Sequence, residues 1–187
     1  MDGLSRRTTS DSPEGVSFLT ALLVRFPQIG SATLTQSGRL LALDFYLTRR
    51  LRKTELKEFQ EVLRDSWEVF FSLQRLHPEE ALVRRNEGRR GTFEQGEEGS
   101  QEVDSVQVVR DVATLTVEEL SLVAALVADR FGRDLAINED LHEEDDEFQE
   151  ELIHRSLEQV RSLPQEVDLT GFRDDMRVLI YASEGAD

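Results

Sequence analysis

The chain has no cysteine among its 187 residues. No disulfide, thiolate zinc site, iron–sulfur cluster or cysteine nucleophile can be built from it, and this composition fits a reducing cytoplasm. Histidine is scarce, with three in all, and no Gly-x-Ser-x-Gly elbow accompanies them. The loops that usually cradle nucleotides, GxxxxGK[ST] and GxGxxG, are missing too. The longest apolar run, LVAALVA from Leu122, is far shorter than the roughly 20 residues a membrane-spanning helix needs. Arg6 and Arg7 precede an apolar stretch, the order seen in twin-arginine export signals. Asp11, Pro13 and Glu14 interrupt that pattern, and Arg25 follows with no small-residue cleavage site. Residues 1–12 are therefore read as a disordered tail, and 13–183 as one domain.

What the chain has in excess is acid, with a net charge of −16. The excess is uneven: residues 1–95 carry 15 basic and 13 acidic side chains, residues 96–187 carry 7 and 25. Such acidity opposes broad contact with nucleic acid, although it leaves room for a local basic patch. Two patches qualify. TRRLRKTELK contains Arg49, Arg50, Arg52, Lys53 and Lys57; VRRNEGRRG contains Arg84, Arg85, Arg89 and Arg90. Arginine forks suit phosphate, and pairing with the acidic second half is the competing explanation.

Apolar spacing gives the elements. SPEGVSFLTALLVRF reads as a helix, with Ser12 as cap and Pro13 in the first turn. Ser37-Gly38 separates two alternating runs, a hairpin signal. In its second strand Leu41, Leu43, Phe45 and Leu47 share a side, and Asp44 and Tyr46 lie on the other. From Thr54 to Leu76 the period lengthens: Leu56, Phe59, Leu63, Trp67, Phe70 and Leu73 make an amphipathic helix that stops before Pro78.

Residues 86–102 are rich in glycine and charge and read as a flexible loop. SVQVVRDV is a short strand; Thr116 and Glu119 form a capping box for the helix VEELSLVAALVADRF, with Gly132 placed for a left-handed cap. DLAI reads as a brief strand, then comes an acidic helix, and LTGFRDDMRVLIYA closes as a hairpin. This order implies an α+β fold: a mixed sheet of about five to six strands, two hairpins plus a βαβ unit, with helices mainly on one face.

The acidic stretch from Glu139 packs nine acids and a histidine into thirteen positions. Its Glu-x-x-His pairs, Glu139/His142 and Glu151/His154, repeat a di-iron motif, but on one helix they lie about 18 Å apart and cannot share a metal pair. The alternate-position acids and central glycine of a calcium loop are missing as well. We read this helix with Phe148, Leu152, Ile153, Leu157 and Val160 inward and a solvated acidic face outward.

TVEELSLVAALVADRFG, LHEEDDEFQEELI and GFRDDMRVLIY together resemble a family of Gram-positive bacterial proteins with no assigned activity. The resemblance implies a bacterial cytoplasmic protein and carries over no site residue.

The functional expectation is a non-enzymatic interaction or regulatory module with no cofactor, no catalytic residue and no metal ligand. Glu143, Glu144, Asp146 and Glu147 are its expected contacts to another protein. The first alternative is an RNA- or ribosome-associated factor using Arg49, Arg50, Arg52 and Lys53. The second is a divalent-metal hydrolase at His142 or His154. A homodimer also fits, because sheet edges need cover.

Overall fold

Alternation along the strands decides which side of the sheet is dry. In the computed structural model, which describes residues 13–35, 38–86, 104–136, 146–162, 167–174 and 177–183, the strands are β1 (Ser31–Thr35), β2 (Leu40–Tyr46), β3 (Ala81–Asn86), β4 (Ser105–Asp111), β5 (Asp168–Asp174) and β6 (Arg177–Ser183). They form a single six-stranded sheet in the order β3-β4-β2-β1-β5-β6, and every ladder is antiparallel. The helices are α1 (Pro13–Arg25), α2 (Lys53–Gln74), α3 (Val117–Phe131) and α4 (Asp146–Ser162). This is the α+β class expected.

One row of side chains crosses all six strands on the helix side: Val83, Val108, Leu43, Ala32, Gly171 and Ile180. Helix α1 lies on the β5 end of that row. A Cβ on Gly171 would come within 2.8 Å of both Leu23 Cδ1 and Ile180 Cδ1, so the missing side chain is what lets α1 sit this low. Helices α2 and α3 cover the other end, with Phe59 and Phe131 meeting edge-on at 5.2 Å. Helix α4 packs Ile153, Leu157 and Val160 inward beside α1, and Arg25 reaches Glu150 at 2.9 Å.

The nearly neutral and acid-rich halves do not form separate layers. Central β1 and β2 come from the first half, and β5 and β4 from the second half flank them. One buried apolar cluster runs through both.

Inside this cluster sits a charge. Arg110 of β4 is 2% exposed on the helix side of the sheet. It donates through Nε and Nη2 to the Glu119 carboxylate of α3, the latter at 2.9 Å, and through Nη1 to Glu80 O at 2.7 Å and to Asp111. Phe71 of α2 lies 5.1 Å under the guanidinium. Thr114 accepts from Arg110 Nη2 and donates to Asp111 Oδ2 at 2.7 Å, closing the ring of contacts.

Several local expectations change. The sixth strand is β3, not DLAI. Gly132–Asp134 forms one 3-10 turn, and Leu135 makes a single bridge to Leu47 through Thr48 N–Asp134 O (2.8 Å) and Ala136 N–Tyr46 O (2.9 Å). The βαβ unit therefore lacks its second strand. Gly132 is right-handed (φ −48°), because the chain tightens directly into that turn. Only half of the α3 capping box forms: Thr116 Oγ1 accepts from Glu119 N at 3.2 Å, while the Glu119 side chain is spent on Arg110.

Helix α2 ends at left-handed Arg75 (φ 54°), with Leu76 N donating to Phe71 O at 2.9 Å, before Pro78 is reached. Ser12, residues 87–102 of the expected loop, Glu139 and His142 lie outside the described residues.

Arg110→Met leaves the Glu119 carboxyl buried without its partner, and should lower unfolding free energy by about 3–5 kcal/mol. Adding Glu119→Leu to that variant should recover a large part of the loss. Urea denaturation of the two variants measures the difference.

Candidate functional site

The expected basic site is largely self-neutralised. Arg49 lays both Nη atoms on the Glu55 carboxylate at 2.9 Å each, and Nη2 also pairs with Asp134 at 2.9 Å. Arg52 Nη2 donates to Glu55 Oε1 at 3.1 Å, and its backbone N–H to Oε2 at 3.1 Å. The Arg49 hydrogen bonds first, then those of Arg52, hold the Glu55 carboxyl far below the usual carboxylate range. Together these bonds start α2: Glu55, at its third position, reaches back to the Arg52 N–H. Arg50 and Lys53 are exposed at the same corner.

In the second basic cluster, Arg84 and Arg85 belong to β3, not to a loop. Arg85 Nη2 grips Asp104 at 2.8 and 2.9 Å, and Asp104 Oδ2 also accepts from Leu51 N at 2.6 Å. Burial works against the Asp104 charge, yet the Arg85 fork and the Leu51 N–H bring its pKa below the ordinary value. Arg49–Asp134 and Arg85–Asp104 are pairs between the two halves of the chain.

Of the acidic candidates, Glu143 and Glu144 lie outside the described residues, and Asp146 is the first residue of α4. Glu147 is exposed one position on. Phe148, expected inward, is 60% exposed, because α4 buries only the stripe through Ile153, Leu157 and Val160. His154 is exposed in a shallow groove with Glu151, Arg155, Glu158, Gln159 and Ser162, where Glu151 is bonded to Arg155 at 3.1 Å. Among the described residues no group of three His, Asp or Glu side chains is placed to hold a metal ion.

A polar cluster that the sequence did not announce occupies the sheet face away from the helices. Asp44 of β2, 1% exposed, accepts at Oδ1 from Asn86 Nδ2 (2.9 Å), Ser105 Oγ (3.2 Å) and Gln107 Nε2 (3.1 Å). Ser31 Oγ lies 3.4 Å from Oδ2 and 2.9 Å from Tyr46 Oη. Arg84 Nε donates to Gln107 Oε1 at 2.7 Å. The Tyr46 ring reaches Ser31 only because Gly30 has no Cβ, which would fall inside the ring. Chemically this carboxylate is occupied: both oxygens already accept from neutral donors, so the cluster fixes strand register and offers no free base.

Exposed apolar side chains make the other surface that needs a reason. On α2, Val62 is 52%, Val69 61% and Leu73 77% exposed, and their spacing of seven and four residues aligns them on one side of the helix. Half-buried Phe70 borders them. Leu73 was expected in the core stripe, but that stripe runs through Phe59, Leu63, Trp67 and half-buried Phe71, and Leu73 falls outward beside Val69. Exposed Glu61, Asp65 and Glu68 flank the apolar line. The local signal for it was present: a second line of apolar residues, 62, 69 and 73, runs beside the core line 59, 63 and 67.

Compared with protein-family models, with curated proteins and with solved structures, the chain matches none.

Glu55 and Asp104 have pKa values below their unfolded ones, so they stabilise the fold above about pH 4–5, and that contribution is lost as pH falls through their folded values. Glu55→Gln should flatten the loss of stability between about pH 5 and pH 2 in a series of thermal melts. Asp44→Ala strands the donors of Asn86, Ser105 and Gln107, and should cost on the order of 2–3 kcal/mol in urea denaturation.

Proposed function

We propose that the protein is a cytoplasmic, non-enzymatic interaction module of the bacterial kind implied by its sequence resemblance, and that α2 presents its docking surface. The observation that carries the reading is the outward line Val62, Val69 and Leu73 on a helix whose opposite side is already buried in the core. Large apolar side chains held this far out, in helical register, are the pattern by which a helix lies in a partner's groove. Long α2 is anchored at its start by the Arg49–Glu55–Arg52 cluster and beneath by Phe59, Leu63 and Trp67, so the surface is rigid before binding.

Charge selects the partner's chemistry. Glu61, Asp65 and Glu68 border the apolar line, and the whole chain is at −16, so the fitting partner is a protein with an apolar groove edged by lysine or arginine.

The test is a pull-down of the full chain from bacterial lysate after nuclease treatment, alongside Val69→Glu/Leu73→Glu. Both positions are exposed, so the variant should keep the wild-type melting temperature to within a few degrees. The expected result is a nuclease-resistant protein partner whose recovery falls about tenfold or more with the variant. Equal recovery by both proteins would overturn the reading. Loss of the partner on nuclease treatment would transfer the function to RNA and to the Arg50–Lys53 corner.

A further inference from the structure

The two edges of the sheet are treated differently by the rest of the fold. At the β3 edge, Asp111 N donates to Glu80 O at 3.1 Å, which makes the even-numbered residues of β3 the ones bonded to β4. Main-chain groups of Ala81, Val83 and Arg85 therefore point outward. Helix α2 closes this edge, with Gln60 Nε2 donating to Val83 O at 2.7 Å, and the strand carries two arginines. Both features discourage a further strand.

The β6 edge has no helix closing it, and its single arginine, Arg177, stands at the strand's first position. Arg173 N donates to Gly30 O at 3.2 Å, so odd-numbered residues of β5 serve β1 and even-numbered ones serve β6. Across β6, Arg177, Leu179, Tyr181 and Ser183 thus bond to β5, and the N–H and C=O groups of Val178, Ile180 and Ala182 face away from the sheet. Among the described residues no strand pairs with them and no main-chain group bonds to them. From Val178 to Ala182 the strand has no charge, no proline and no glycine. Tyr181, 56% exposed, lies beside Leu179 and edge-on to Phe172 at 5.9 Å.

We infer that β6 pairs with β6 of a second copy of this chain, antiparallel across a two-fold axis at Ile180, making one continuous sheet from two protomers. The strand is its own complement in that register. Ile180 faces Ile180 and Val178 faces Ala182, so each residue with outward main-chain groups both donates and accepts across the axis. Toward the helix-free face, Leu179 sits opposite Tyr181 twice over, an aliphatic–aromatic pair of the kind that stabilises neighbouring strands. Arg177 falls opposite Ser183, which puts no like charges in register. This pairing uses the full length of β6; moving the axis to Leu179 or Tyr181 shortens the overlap of the described strand.

Net charge works against the dimer, since each copy carries −16. Association should therefore strengthen as salt screens the repulsion. The β6 edge and the α2 surface are separate, so this inference does not rest on the proposed function.

Sedimentation velocity of the full chain across concentration is the experiment, with expected mass twice the 21.4 kDa protomer and a dimer fraction that rises with salt. Ile180→Pro removes an N–H that points away from β5, so the β5–β6 hydrogen bonds stay and the dimer is lost, with a lower melting temperature from the lost Ile180 packing beside Gly171. The charge variants report the register. Leu179→Lys/Tyr181→Lys sets ammonium groups opposite each other and should raise the dimer Kd about tenfold or more. Leu179→Lys/Tyr181→Glu sets ammonium opposite carboxylate and should restore dimers that now weaken with salt. Circular dichroism and melting temperature confirm that each variant is folded. A monomer at all concentrations, or a dimer indifferent to Ile180→Pro and to both charge variants in folded protein, would overturn the inference.

Discussion

A guanidinium enclosed by apolar side chains has to be satisfied, and the satisfaction of Arg110 organises much of this protein. Its fork reaches the carboxylate of α3, the carbonyl that precedes β3 and the aspartate that follows it on β4, while the aromatic ring from α2 covers its face. Burial pushes the Glu119 pKa up, with Arg110 acting against that, whereas the Thr114 hydroxyl and Arg110 together outweigh burial at Asp111 and bring its pKa down. Such an enclosed pair adds less to stability than its geometry suggests, because desolvation offsets most of the attraction. What it supplies is position: α2, α3, the start of β3 and the end of β4 are tied to one side chain.

The two faces of the sheet divide the remaining work. The helix side carries the apolar row from Val83 to Ile180, on which α1, α2 and α3 rest. The other side carries Asp44 and its ring of amide and hydroxyl donors, which spans β1, β2, β3 and β4. A one-residue slip of any of these strands would turn Asp44 or its donors into the apolar layer, so the cluster specifies register as strongly as the core does. The surfaces proposed for partners lie outside both faces, on α2 and along β6.

Periodicity made the scaffold legible. The hairpin around Gly38, the long α2, α3 and the closing hairpin can all be read from apolar spacing, and the alternation in β2 placed Leu41, Leu43, Phe45 and Leu47 together on the buried side. What spacing could not supply was long-range choice. Spacing makes DLAI a strand and puts VRRN in a charged loop, whereas pairing with β4 and the Gln60 amide of α2 make ALVRRN an edge strand and DLAI keeps a single bridge. Spacing assigns Glu119 to a local cap, but Arg110 of β4 takes its carboxylate, and spacing puts Leu73 in the core, but it falls on the outward side of α2. Exposed apolar side chains were hardest to see, because a residue's exposure depends on what the rest of the fold packs against it. The arginines of the 49–53 corner were visible as charge, but not as a cluster folded back on Glu55 and Asp134.

Strand order also bears on how the chain is made. The central strand β1 is flanked by β5, and Thr33 meets Thr170 across that ladder, 137 residues away. During synthesis the β1–β2 hairpin and α2 leave the ribosome long before β5 exists. One whole side of β1, and the apolar underside of α1 that rests on Gly171, must wait uncovered for the last part of the sheet. This delay is a property of the wiring rather than of any residue's stability, and it keeps apolar surface exposed until the closing hairpin pairs.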